Sequence, residues 1–134
     1  MSRDAACVAV AFVLMGALAS GVQPREHDAA WVAPVDAAAK TNPLANRADA
    51  AAGGRKIFHQ RCASCHGDDL RGSPKGPDLT RPEVREQSDG ALFWKISSGN
   101  TRPGMPSFSF LPELQRWQLV LHIRTVEGLD STPR

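Results

Sequence analysis

Cys62-Ala63-Ser64-Cys65-His66 constrains this chain more than any other stretch of it. Two cysteines with a two-residue gap and a histidine directly after them form C-x-x-C-H, the attachment signature of a c-type haem. Each thiol can add its S–H across one vinyl group of a porphyrin to give a thioether. The gap sets the cysteines near one turn apart, matching the two vinyls. His66 follows at once and can turn its imidazole under the iron as the proximal ligand. Two other chemistries use related spacings. A thiol–disulfide site takes C-x-x-C at the start of a helix in an α/β fold, and no segment here alternates as a strand should. A zinc site needs four ligands. Beyond these cysteines the exported chain would offer only His27, His59, His66 and His122, with no second paired spacing. The motif favours haem.

The N-terminus explains why these two thiols stand alone. Ala5 to Ala19 is an apolar run, and Ala17-Leu18-Ala19 has the small-x-small pattern that an export peptidase cuts after. Residues 1–19 read as a signal peptide, with Ser20 as the mature start. Its positive end is weak, since Asp4 follows Arg3. The run falls short of the about 20 apolar residues of an easy span, although an uncleaved anchor running on to Val22 is the alternative. Lipid attachment at Cys7 is disfavoured, because the apolar run has not ended there. Cleavage removes Cys7 and leaves Cys62 and Cys65. The expected location is the periplasm, soluble after cleavage.

Residues 20–48 hold Pro24, Pro34, Pro43, many alanines and scattered charges. Trp31, Val32 and Val35 show no sustained period, so the segment reads as an arm or linker. Trp31 is the point where it could lie against a domain. With a net charge of +2, no basic block and no Tyr, nucleic-acid binding has little support.

The organised region spans 49–127, followed by a tail over 128–134. Asp49 is a candidate N-cap for a helix reaching about Gln60, with Ile57 and Phe58 on its apolar side. Gly53 and Gly54 inside that helix cost roughly 1 kcal/mol each, which a very close helix–helix contact would offset. Gly67 to Leu79 reads as loop. Thr80, Pro82 and Glu83 suggest a short helical piece. Ser88 or Asp89 can cap a helix through Leu92, Phe93 and Ile96, with Gly99 ending it. Asn100 to Phe110 is loop again. Pro112 suits the first residue of a last helix, whose stripe is Leu114, Trp117 and Leu121, broadened by Val120 and Ile123. This is an all-α pattern with long loops. A domain of about 80 residues is short of core by itself, so a large buried object such as haem is needed to complete it.

Met105 is the candidate sixth ligand. It lies in Arg102-Pro103-Gly104-Met105-Pro106, an irregular and rigid loop where helical periodicity does not account for a methionine. The bland alternative is a core-filling Met. His59 is too near the proximal side, and His122 on the last helix reads as a packed or edge residue. His/Met ligation raises the potential relative to two histidines.

With these residues assembled, Asp49 to Glu127 resembles the class I cytochrome c family, particularly its small bacterial periplasmic members. The resemblance implies a cytochrome c fold: N- and C-terminal helices crossing, and long loops around one covalent haem c on Cys62 and Cys65. Gly54 and Phe58 match positions that pack on the C-terminal helix. Gly67 follows the haem motif directly. Gly76-Pro77-x-Leu79 resembles the proximal loop, in which the Pro77 carbonyl would accept the Nδ1 hydrogen bond of His66. Met105-Pro106 matches the distal ligand loop. Leu119 and His122 match positions facing the N-terminal helix and haem, where the family more often has Tyr or another aromatic in place of His122. Trp94 and Arg102 become candidate partners of the haem propionates, against the plainer readings of core tryptophan and solvated arginine.

A six-coordinate haem implies a one-electron carrier rather than an enzyme. The expected partners are redox proteins, a membrane respiratory complex or a periplasmic dehydrogenase. On the family's pattern Lys56, Arg61, Lys75, Lys95 and Arg102 would ring the haem edge and steer an acidic partner. The alternatives are a dedicated cytochrome subunit of a periplasmic dehydrogenase or oxidase and, with a labile sixth ligand, a haem sensor or peroxidase-like enzyme. A monomer or a subunit of a hetero-complex is expected.

Overall fold

The computed structural model describes residues 31–102 and 104–126. The leader 1–19, the first part of the arm, Pro103, Glu127 and the tail 128–134 lie outside the described residues. Within them the chain forms helices α1 (Val35–Ala38), α2 (Ala48–Arg61), α3 (Ala63–His66), α4 (Pro82–Arg85), α5 (Asp89–Ser98) and α6 (Glu113–Thr125). No strand occurs among the described residues; Ser73 with Gly76 and Asn100 with Met105 form isolated antiparallel bridges. The fold is all-helical, as the sequence pattern indicates.

The frame is the crossing of α2 and α6. Gly54 makes it possible: a Cβ there would stand 2.0 Å from the Gln118 carbonyl oxygen and 3.0 Å from His122 Cβ. Gly53 faces the Gln118 side chain instead: a Cβ there would stand 2.7 Å from its amide nitrogen. Around this contact Phe58, Trp117, Leu119 and Val120 are buried, each burial worth about 2 kcal/mol. Leu114, expected on the apolar stripe, is 59% exposed. It sits in the first turn of α6, ahead of the crossing at Gln118, where no partner helix covers it. The expected caps shift slightly. Arg47 holds the N-cap position of α2, and Asp49, in the first turn, pairs with it at 2.7 Å. Pro112 is the N-cap of α6 rather than its first residue.

α5 packs beneath the crossing. Ser88 caps it by accepting from Ala91 N at 3.1 Å, and Gly99 ends it at φ 67°. Leu92, Phe93 and Ile96 are buried. The Phe93 ring stacks on Trp117 with centroids 4.0 Å apart, and the Arg116 guanidinium lies 4.7 Å over the same ring. Arg124 latches α6 to the start of α5: it donates to Asp89 Oδ1 at 2.8 Å, to the Arg85 carbonyl at 2.7 Å, and to the Gln87 carbonyl.

From Trp31 to Arg47 the segment ahead of α2 lies against this frame. Ala33 and Asn42 are buried, and Asn42 Nδ2 donates to the Trp117 carbonyl at 3.1 Å. Ser88 Oγ donates to the Ala38 carbonyl at 2.6 Å. Gly90 leaves room for α1: a Cβ there would come within 2.2 Å of the Ala37 carbonyl oxygen.

His122 occupies the crossing, buried, with its ring centroid 5.2 Å from that of Phe58. Its Nε2 is buried without a hydrogen-bond partner among the described residues. Burial first, then His59 and Arg55 on α2, hold its pKa below the ordinary histidine value. The native fold therefore binds fewer protons here than the unfolded chain. The stability this gives is full above about pH 6.5 and is lost as pH falls below it. The thermal midpoint of the haem-loaded protein should drop between about pH 8 and about pH 5, and His122→Phe should flatten that slope. An unchanged slope in the variant would place the titration elsewhere.

Candidate functional site

The two cysteines sit where α2 gives way to α3. Cys62 is the C-cap of α2, its N–H bonded to the Phe58 carbonyl at 2.8 Å. The single turn of α3 then carries Cys65 and His66 on one short, rigid piece of backbone. Both thiols are free and half-buried. Burial, followed by the neighbouring Cys65, pushes the Cys62 thiol up to about 11. Burial penalises only the charged form, and a neutral thioether bears no such penalty.

The loop after His66 is built to hold that histidine. Gly67 turns the chain at φ 77°, and Gly72 N returns to the His66 carbonyl at 2.8 Å. Ser73 Oγ donates to the Cys65 carbonyl at 2.6 Å. Gly76 passes so close that a Cβ would stand 2.9 Å from the Cys65 carbonyl oxygen. Leu70 anchors the loop, buried, at a left-handed φ of 64°; this conformation costs a non-glycine residue roughly 1–2 kcal/mol. Leu79 N bonds the Leu70 carbonyl at 2.7 Å. Asp78 accepts from Thr80 N and Oγ1 at 2.7 and 2.6 Å, and the Thr80 hydroxyl above all holds its carboxyl below the usual range.

The product of this loop is one hydrogen bond. His66 Nδ1 lies 2.9 Å from the Pro77 carbonyl oxygen. A carbonyl can only accept, so Nδ1 carries the proton and Nε2 presents its lone pair. That is the geometry of a metal-ligating histidine oriented by a backbone carbonyl. Among the described residues no three His, Cys, Asp or Glu side chains gather into a cluster.

Met105 is half-buried and packs on the hydrophobic core. Its backbone exchanges both hydrogen bonds with Asn100, each 2.9 Å. Gly104 takes φ 98°, and a Cβ there would meet nothing within 4 Å. Its glycine therefore answers a backbone angle, not crowding. Trp94 is half-buried on α5 and Arg102 is exposed on the Met105 loop. His59 is tied to Asp68 at 2.9 Å. Lys56, Arg61 and Lys75 are exposed, whereas Lys95 lies 4.7 Å over the Trp31 ring. Sequence reasoning missed Ser73, which donates to the Cys65 carbonyl, and Asn100, which pairs with the Met105 backbone; neither carries a signal beyond lying next to a glycine-rich turn.

A family model described as cytochrome c oxidase, cbb3-type, subunit III matches residues 49–123. The chain belongs to this family of c-type cytochrome domains. A cytochrome c domain of this family implies one covalent haem c, here on Cys62 and Cys65, and the role of an electron carrier. Its fold is similar to that of cytochrome cL from the marine methylotrophic bacterium Methylophaga aminisulfidivorans MPT, with a TM-score of 0.55 at 23% identity. That match covers 63% of this chain and 60% of the cytochrome cL chain. No helix among the described residues is long and apolar enough to cross a membrane.

Proposed function

We propose that this cytochrome is a periplasmic one-electron carrier whose haem iron is held by His66 and Met105. The hydrogen bond from His66 Nδ1 to Pro77 O, 2.9 Å long, carries the reading, because it leaves Nε2 free and aimed by a fixed loop. When bound, the haem supplies one reversible electron between the ferric and ferrous states. Everything else falls to the chain. Cys62 and Cys65 fasten the porphyrin edge. His66 donates strongly, and Met105, a soft thioether, favours the ferrous state and raises the potential. Phe58, Leu70, Leu79 and Met105, which belong to or pack on the hydrophobic core, would keep water from the haem; Trp94 and Arg102 would meet its propionates. Lys56, Arg61, Lys75 and Arg102 steer an acidic partner into a brief contact of small area. The N-terminal leader supports export.

A second reading is a dedicated cytochrome subunit, or the electron acceptor, of a dehydrogenase or oxidase complex. The family description, which names an oxidase subunit, favours it. Retention of a partner through gentle purification would select this reading over a free carrier.

The test is covalent attachment with reversible redox. Protein from an exporting host should keep its haem through denaturation and acidic organic extraction, at one haem per chain. It should titrate as one reversible electron step, with an intact mass that starts at Ser20. Extractable haem would remove the c-type assignment; a mass retaining Met1 would remove the soluble carrier.

A further inference from the structure

A helix leaves its last four carbonyls without partners inside it, and at the end of α5 two of those partners come from the segment that follows Met105. The Ile96 carbonyl accepts from Phe108 N at 3.1 Å, and the Ser97 carbonyl from Ser107 Oγ at 2.6 Å. Thus the limb leaving Met105 is stitched to the helix. The limb entering it begins at Gly99. There φ is 67°, and a Cβ would stand 2.5 Å from the Pro106 carbonyl carbon, so the two limbs press together. Asn100, the next residue, exchanges both backbone bonds with Met105. The Gly99 carbonyl is taken from outside the 49–123 domain: Trp31 Nε1 donates to it at 3.1 Å, across 68 residues of sequence. Lys95 lies over the Trp31 ring at 4.7 Å, and Ala33, two residues on, is buried.

We propose that Trp31 is a positioning residue for the sixth ligand, and that the segment 31–47 is a strap holding the base of the Met105 loop. The inference rests on Met105 being that ligand. A thioether is a weak ligand, and an added imidazole competes with it by moving the loop aside. The affinity for imidazole therefore measures how firmly the loop base is held. Trp31→Phe keeps an aromatic ring for Lys95 and removes the N–H donor together with the rest of the pyrrole ring.

The experiment uses the full haem-loaded chain in the ferric state, titrated with imidazole, with thermal midpoints measured alongside. Trp31→Phe should raise imidazole affinity about five-fold, the worth of one neutral hydrogen bond. Trp31→Ala should raise it further. In a Met105→Ala background, where no loop need be displaced, Trp31→Phe should leave the affinity unchanged. An unchanged affinity in the otherwise native chain, whatever happens to the thermal midpoint, would make Trp31 a purely structural contact. A five-fold rise that persists in the Met105→Ala background would show a general opening of the haem site. Either result overturns the strap while leaving the ligand assignment standing. If Met105→Ala itself keeps the Met–iron charge-transfer band, the ligand assignment falls and takes the strap with it.

Discussion

Met105→Ala should convert a closed electron carrier into an open haem protein. The half-buried thioether is held by a loop with two backbone hydrogen bonds to Asn100 and a glycine at φ 98°. Alanine at this position preserves that backbone and shortens only the side chain, so the thioethers and His66 should be untouched. The ferric long-wavelength charge-transfer band of Met–iron bonding should vanish. The midpoint potential should fall by on the order of 0.1–0.3 V, within the about 0.8 V range over which axial ligands act. Cyanide and carbon monoxide should bind readily, and peroxidase activity should appear. Met105→His should stay closed but also fall in potential, because imidazole donates more strongly to the ferric iron. The control is His122→Ala. His122 is packed on Phe58 at the α2–α6 crossing, so its loss should leave the band in place. A band that survives Met105→Ala and disappears in His122→Ala would reverse the assignment.

The features legible in the sequence are those whose chemistry is local. Cys62, Cys65 and His66 stand together because a porphyrin's two vinyls and its iron require that spacing. Ser88 shows itself as a cap because a hydroxyl must face the bare N–H groups of the following turn. Gly53 and Gly54 point to a close crossing because nothing else justifies two glycines inside a helix. The segment from Trp31 to Arg47 is harder to read. α1 is a single turn with no period to detect, and its contacts are long-range: Ser88 Oγ to the Ala38 carbonyl, and Asn42 to the Trp117 carbonyl. One signal was available. Gly90, in the first turn of α5, follows the logic of Gly54, and a carbonyl of α1 fills the space its missing side chain leaves. Nothing near Lys95 in sequence reveals that Trp31 lies beneath its ammonium group.

Gly54 and Gly53 differ by one position and should differ most in consequence. At Gly54 the first atom of any side chain would meet backbone, 2.0 Å from the Gln118 carbonyl oxygen and 2.6 Å from its carbon. Neither can swing away, so α2 and α6 must separate by more than an ångström. Phe58, Leu119 and Val120, the most deeply buried apolar side chains of the crossing, would then lose their close packing. Overpacking alone costs about 1–3 kcal/mol, and the loosened core adds a comparable amount. Gly54→Val is therefore expected to cost about 3–5 kcal/mol, a large share of the about 5–15 kcal/mol that holds a domain together. At Gly53 the clash is with the far end of the Gln118 side chain, 2.7 Å away, which can rotate into solvent. Alanine there also recovers helix propensity of about 1 kcal/mol. Gly53→Ala should be neutral or slightly stabilising. Chemical denaturation of the haem-loaded variants, followed by helical circular dichroism and haem absorbance together, measures both. Gly54→Val should show a much lower midpoint and poor haem incorporation, since Cys62 hangs from the end of α2. Equal stability of the two variants would mean that the helices do not cross as closely as the backbone contact at Gly54 requires.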